Sequence, residues 1–168
     1  MPRLLDIEVS GASLALRVVL GVVFGGISFV VFYYLPANLG NFLSSALPAA
    51  SRAAAAGVAS ALINPSLPLI GLAAAALVFL GFLLRGTKAY GLILVLNGIV
   101  FLAYVYTAFQ GGTITLNLPA GLPSSASGNI SLNASNLMLL FLLAPLLTVV
   151  KGIVLTVMKP QVAQQQTG

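Results

Sequence analysis

The run Leu69-Ile70-Gly71-Leu72-Ala73-Ala74-Ala75-Ala76-Leu77-Val78-Phe79-Leu80-Gly81-Phe82-Leu83-Leu84, then Arg85-Gly86-Thr87-Lys88, then Ala89-Tyr90-Gly91-Leu92-Ile93-Leu94-Val95-Leu96, decides the fold. Two apolar stretches flank a short turn that carries two cations. A helix needs about 20 apolar residues to cross ~30 Å of hydrocarbon. The stretches therefore predict spanning helices over 69–84, entered after Pro65 and Pro68, and over 89–109, ended by Gly111-Gly112. Upstream, 18–35 is a third such run, preceded by Arg17 and closed by Pro36. Downstream, a fourth begins near Leu137 and continues past Lys151, giving a span over 137–158.

Composition agrees. The chain has 168 residues, 60% of them hydrophobic and only nine charged, Asp6 and Glu8 being the acidic ones. A soluble domain carries about 25% charged residues, and nine charges do not cover the surface of a domain this size. Lipid or partner protein must replace the missing polar surface. With neither Cys nor His in the chain, disulfides, thiolate or imidazole metal sites and His-based catalysis are excluded. The cations are scattered beside apolar runs, a pattern of membrane edges and not of a nucleic-acid surface. The fold class expected is an all-α integral membrane protein, one domain over 1–168, built as a four-transmembrane-helix bundle. Its outer loops are 36–68 and 110–136.

The segment 39–63 is rich in Ala and Ser, is broken by Pro48 and carries Arg52. Arg at mid-membrane costs roughly 2.5–3.5 kcal/mol on insertion scales, so the segment reads as an interfacial helical loop, with a fifth span as the alternative. The run 18–35 is too long for a cleaved signal and lacks a small-x-small site, which predicts a permanent helix. Residues 3–16 read as an interfacial lead-in, with Ser10 as N-cap.

Cations accumulate on the cytoplasmic side of short loops. Arg3, Arg17, Arg85, Lys88, Lys151 and Lys159 fall on one side of a four-span arrangement and only Arg52 on the other. A multi-pass protein of the cell membrane with both termini cytoplasmic is expected. Tyr33, Tyr34, Tyr90, Tyr104 and Tyr106 sit near the predicted span ends, where a phenol is favoured. The outer loop holds the glycosylation sequons Asn129-Ile130-Ser131 and Asn133-Ala134-Ser135, making Asn129 and Asn133 glycosylation candidates. In the same loop, Thr113-Ile114-Thr115-Leu116-Asn117-Leu118 and Asn129-Ile130-Ser131-Leu132-Asn133 alternate polar and apolar around a turn-like 119–125. Period two predicts a small extracellular β-hairpin, with a structureless loop as the alternative.

Gly21, Gly25, Gly71 and Gly81 are candidate helix-packing positions, serving contacts within the chain or with another subunit. Pro145 predicts a kink that frees the Phe141 carbonyl, with Thr148 near enough to help. Intramembrane ionisable groups mark function, and there are few here. Lys151 and Arg17 either snorkel to the interface or face a buried polar group such as a lipid headgroup or a quinone carbonyl. Asn97 makes an interhelical hydrogen bond or contacts a ligand. Arg17, Asn97 and Lys151 are thus the cofactor-binding candidates, for a quinone or lipid; no catalytic residue, no metal ligand and no intrinsic cofactor is expected.

Leu16-Arg17-Val18-Val19-Leu20-Gly21 and Leu80-Gly81-Phe82-Leu83-Leu84-Arg85, with the chain's size and the long loop after span one, resemble the DoxX/DoxD family of small four-helix membrane proteins. That resemblance implies quinone-linked thiosulfate oxidation beside a partner subunit. The family's Gly-Lys element at the end of span one and its Glu in span two have no counterpart, Gly71 to Ala76 standing where the Glu would be. No catalytic residue is carried over. The expected function is that of a non-catalytic subunit stabilising a larger membrane complex, such as a respiratory one, by contact with other membrane subunits or by self-association. The alternatives are a quinone-linked redox subunit of DoxD type and a small channel or transporter. Nucleic acid is not an expected partner. The Ala-rich, Cys-free composition suits a prokaryotic, in particular archaeal, membrane.

Overall fold

The computed structural model describes residues 3–4, 7–8, 11–46, 48, 52, 59, 64–87, 89–117 and 129–157. The chain is mostly helical. A two-residue strand pair, β1 (Arg3–Leu4) and β2 (Ile7–Glu8), precedes helix α1 (Gly11–Phe29). A wide π turn, Val30–Tyr34, leads directly into α2 (Leu35–Ala46). Then come α3 (Leu67–Leu83) and α4 (Ala89–Ala108), the strands β3 (Thr113–Asn117) and β4 (Asn129–Asn133), and α5 (Ser135–Val157). The helices Ala12–Ala46, Ala89–Ala108 and Ser135–Val157 are long and apolar enough to cross a membrane, while apolar Leu67–Leu83 is shorter, at 17 residues.

The largest departure from the sequence reading is at Pro36. The helix does not stop there but runs through 35 residues. Proline removes one N–H and clashes with the carbonyl four residues earlier, here that of Phe32. The π turn absorbs both effects. The Leu35 N–H donates five residues back, to the Val30 oxygen, and the extra residue opens the ladder where the ring needs room. Residues 11–16 likewise belong to this helix and not to a separate lead-in. Tyr33 and Tyr34 therefore lie inside a long helix and not at its end. Ser10, Lys88, Met158, Lys159 and the turn 119–125 lie outside the described residues, as does most of 47–63.

The helices pack in the order α1, α3, α4, α5, each antiparallel to the next. The α4–α5 interface is the most extensive, followed by α1–α3, and α1 and α5 share no comparable interface. The interfaces are made of small residues. Gly21 and Gly25 lie against Phe79, where an added Cβ would come within 3.1 Å of its side chain. A Cβ on Gly71 would sit on the Phe32 carbonyl oxygen, the acceptor that Pro36 leaves without its helical donor. Gly81 is different, since its nearest neighbour, Ile93 Cγ2, would be 3.8 Å away. The closest crossing joins α4 and α5, where Gly91, Gly98 and Gly152 each meet backbone of the facing helix within 3.0 Å of a would-be Cβ. Ala74 and Ala75 are buried, while Leu69, Leu140 and Leu147 are more than 60% exposed. A soluble protein buries its large apolar residues; this one turns them outward. With lipid as solvent, close backbone approach and dispersion replace the hydrophobic drive between helices.

Pro145 lies buried inside a continuous α5. The Thr148 hydroxyl donates to the Ala144 oxygen at 3.0 Å, a bond to the local backbone beside the proline. The β3–β4 pair matches the alternating segments residue for residue, with Thr113 opposite Asn133 and Asn117 opposite Asn129. Its base is tied to the helix ends. The Ala134 N–H donates to the Gly112 oxygen at 2.8 Å, and Asn133 Oδ1 accepts from the Ser135 N–H at 3.0 Å. Gly111 and Gly112, at φ 72° and 98°, make the reversal that leaves α4.

Candidate functional site: a crevice between the third and fourth helices

The α3–α4 turn places the candidate site. Gly86 adopts φ 85°, a left-handed conformation natural to glycine. Buried Thr87 closes the turn, its N–H and hydroxyl both donating to the Leu84 oxygen, at 3.0 and 2.7 Å. This fixes Arg85 at the end of α3 and Tyr90 in the first turn of α4. Between the two helices a crevice of about 240 Å³ opens. Leu77, Val78, Phe82, Ile93 and Leu94 make its apolar walls. Arg85 and Tyr90 stand at the end nearest the turn, and Asn97 lines it about two helical turns deeper. Phe82 is held from behind by Phe24 of α1, the rings stacked with centroids 4.9 Å apart. Farther along, Phe32 packs edge-on against Phe101 and Tyr104, so the π turn reaches α4 there through aromatic rings.

Two polar atoms are buried without a hydrogen-bond partner among the described residues: Asn97 Oδ1, on the crevice lining, and Arg17 Nη1, on α1 beside the α3–α4 turn. The expected interhelical hydrogen bond of Asn97 is therefore not made. The facing part of α3 offers Leu77, Val78 and Gly81, which carry no side-chain donor. Arg17 extends from α1 to the α3–α4 turn, its Nη2 lying 3.4 Å from where a Gly86 Cβ would be. Arg17 thus reaches the turn that carries Arg85, although only Arg85 is among the residues lining the crevice. Lys151 does not join them. It is exposed on α5 and is not part of the crevice lining.

Arg17, Arg85 and Lys151 nonetheless occupy the same end of the molecule. Arg17 touches the α3–α4 turn, and Gly152, next to Lys151, crosses Gly91 just beyond that turn. The β-hairpin occupies the other end, carrying Asn129 and Asn133 in β4. Sequence reading missed Gly91, Gly98 and Gly152, the three positions of closest approach. Their signal is the seven-residue step of Gly91 to Gly98, matched by Pro145 to Gly152. It also missed the pairing of Arg17 with the Arg85 turn, which no local pattern announces. Comparison with known protein families, curated proteins and solved structures yields no match to this chain.

Proposed function

We propose that this chain is a four-span membrane subunit without catalysis of its own, held in a larger complex through the uncovered flanks of its outer helices. The 17 residues of α3 are at the short end of the ~17–25 that span a bilayer. Its apolar surface and its position between two longer helices favour a fourth span. The gathering of Arg17, Arg85 and Lys151 at one end supports a cytoplasmic side there, by the bias of cations in short loops. The hairpin and both sequons are then outside.

The observation that carries the subunit reading is the uncovered flank of α1. Gly26 has no neighbour within 4 Å of a would-be Cβ, although Gly21 and Gly25 beside it are filled by Phe79. Such a gap admits the backbone of another helix. The test is purification of the full chain in mild detergent. The reading expects other membrane chains, or a second copy, to co-migrate in fixed ratio, and Gly26→Leu to release them. A monodisperse single chain unaffected by Gly26→Leu overturns it.

A quinone-linked subunit of DoxD type is the second reading, favoured by Asn97 as an unsatisfied amide on the crevice. It expects quinone-dependent activity that Asn97→Ala abolishes. Solute flux from the purified chain alone in liposomes would instead support a channel or transporter.

A further inference from the structure

We propose that the crevice between α3 and α4 is a specific site for an acidic phospholipid, its phosphate held by Arg17 and Arg85 and one acyl chain lying along the apolar walls. The inference rests on the chain spanning a membrane and is independent of the subunit role.

Three observations converge. The first is charge. The Arg17 guanidinium lies on Gly86, one residue from Arg85, and its Nη1 is buried with no hydrogen-bond partner among the described residues. A buried guanidinium N–H without an acceptor is costly, and two guanidiniums at one turn repel. An anionic group with several acceptor oxygens relieves both, and phosphate matches the guanidinium fork. The second is shape. The crevice, about 240 Å³, falls below the ~300–1,000 Å³ of pockets that enclose a whole drug-sized ligand. It suits part of an amphiphile, one chain entering while the rest stays in the bilayer. The third is order. Arg85 lines the crevice at the α3–α4 turn, Arg17 reaches the same turn from α1 at Gly86, and the apolar walls run from the turn along both helices. A phospholipid has the same sequence of parts, an anion at the interface and hydrocarbon directed inward. Tyr90, on the lining near the turn, adds an amphipathic ring at headgroup depth.

Charge complementarity alone would attract any anionic surface, so the test separates site from surface. The full chain is reconstituted in phosphatidylcholine vesicles with a trace of spin-labelled phosphatidylglycerol or spin-labelled phosphatidylcholine. The immobilised fraction gives the relative association of the two lipids. The wild-type protein is expected to prefer phosphatidylglycerol by roughly fivefold or more, the attraction of about one or two interfacial cations. R17Q/R85Q is expected to bring the ratio near one. Gly81→Leu, which fills the crevice and keeps every charge, is expected to do the same. Lys151→Gln, a lost cation at the same end but away from the crevice, is expected to leave the ratio unchanged, and 10 mM inorganic phosphate is expected not to displace the label. Should R17Q/R85Q fail to insert as helix, R85Q alone is read, with a partial loss expected. A wild-type ratio near one overturns the proposal. So does preference retained in Gly81→Leu, or an equal loss in Lys151→Gln, which would mean general surface attraction. Displacement by inorganic phosphate would show an anion site that takes no lipid chain, and displacement by an added quinone would assign the crevice to that ligand.

Discussion

Replacing Gly152 by alanine puts a methyl carbon 2.7 Å from both the Gly91 carbonyl oxygen and the Val95 amide nitrogen. Both atoms are backbone, so no rotamer change removes them. Ordinary contact begins near 3.4 Å, and α4 must therefore retreat from α5 by about 0.7 Å along this line. The same retreat loosens Gly91 against Thr156 and Gly98 against Pro145, because the three crossings lie on one pair of rigid helices. Inserting a methylene into a packed interior costs about 1–3 kcal/mol, and no hydrophobic gain offsets it where lipid is the solvent. The midpoint of unfolding on SDS titration from mild micelles, followed by near-ultraviolet dichroism, measures the effect. The chain has no tryptophan, so its tyrosines report, and Tyr90, Tyr104 and Tyr106 all lie on α4. Gly81→Ala is the control, since its methyl would meet Ile93 at an ordinary 3.8 Å and is expected to leave the midpoint within about 0.5 kcal/mol of wild type. Adding Val95→Ala to Gly152→Ala removes the Cγ2 contact but neither backbone clash, so it is expected not to rescue. A Gly152→Ala protein as stable as Gly81→Ala, or one restored by Val95→Ala, would refute the backbone-contact account.

Two further outcomes follow from joints at the hairpin end of the bundle. Pro36→Ala restores an N–H opposite the Phe32 carbonyl, and it is expected to shorten the π turn to an α turn and slow amide exchange there; unchanged exchange over 30–36 would show that proline does not set the π geometry. Asn133→Ala removes the acceptor for the Ser135 N–H at the start of α5, and it is expected to cost about 0.5–2 kcal/mol and to raise exchange at Ser135 and Asn136, with no change at α4; protection equal to wild type would remove the cap from the account.

Much of the fold is legible in the sequence, because long apolar helices are specified by length and apolarity more than by fine pattern. The helices Leu67–Leu83, Ala89–Ala108 and Ser135–Val157 begin and end within two residues of 69–84, 89–109 and 137–158. The strands Thr113–Asn117 and Asn129–Asn133 could be read from alternation alone. The first helix outruns its expected end because proline in a sequence reads as a stop. Pro36 widens the helix and does not end it, and the Phe32 carbonyl four residues before it lies against Gly71 of another helix. Such a contact is separated by 39 residues in sequence and leaves no local trace. The site was legible only as isolated residues. Arg17 and Asn97 stand out as polar groups in apolar runs, but their relation to Arg85 and Tyr90 arises from packing. Among the glycines, sequence distinguishes small from large, yet not Gly81 in ordinary contact from Gly152 against bare backbone.

The wide turn at 30–34 has a geometric consequence for everything after it. At ~1.5 Å per residue, 35 continuous residues extend about 52 Å, well beyond ~30 Å of hydrocarbon. Set upright across such a layer, the final third, with Asn38, Asn41, Ser44 and Ser45, would stand clear of it as a post. One inserted residue also advances the helical phase by about 100°. The side of the post is consequently uncoupled from the side of the buried shaft, so each can meet its own surroundings, wet above and greasy below, without a break in the rod.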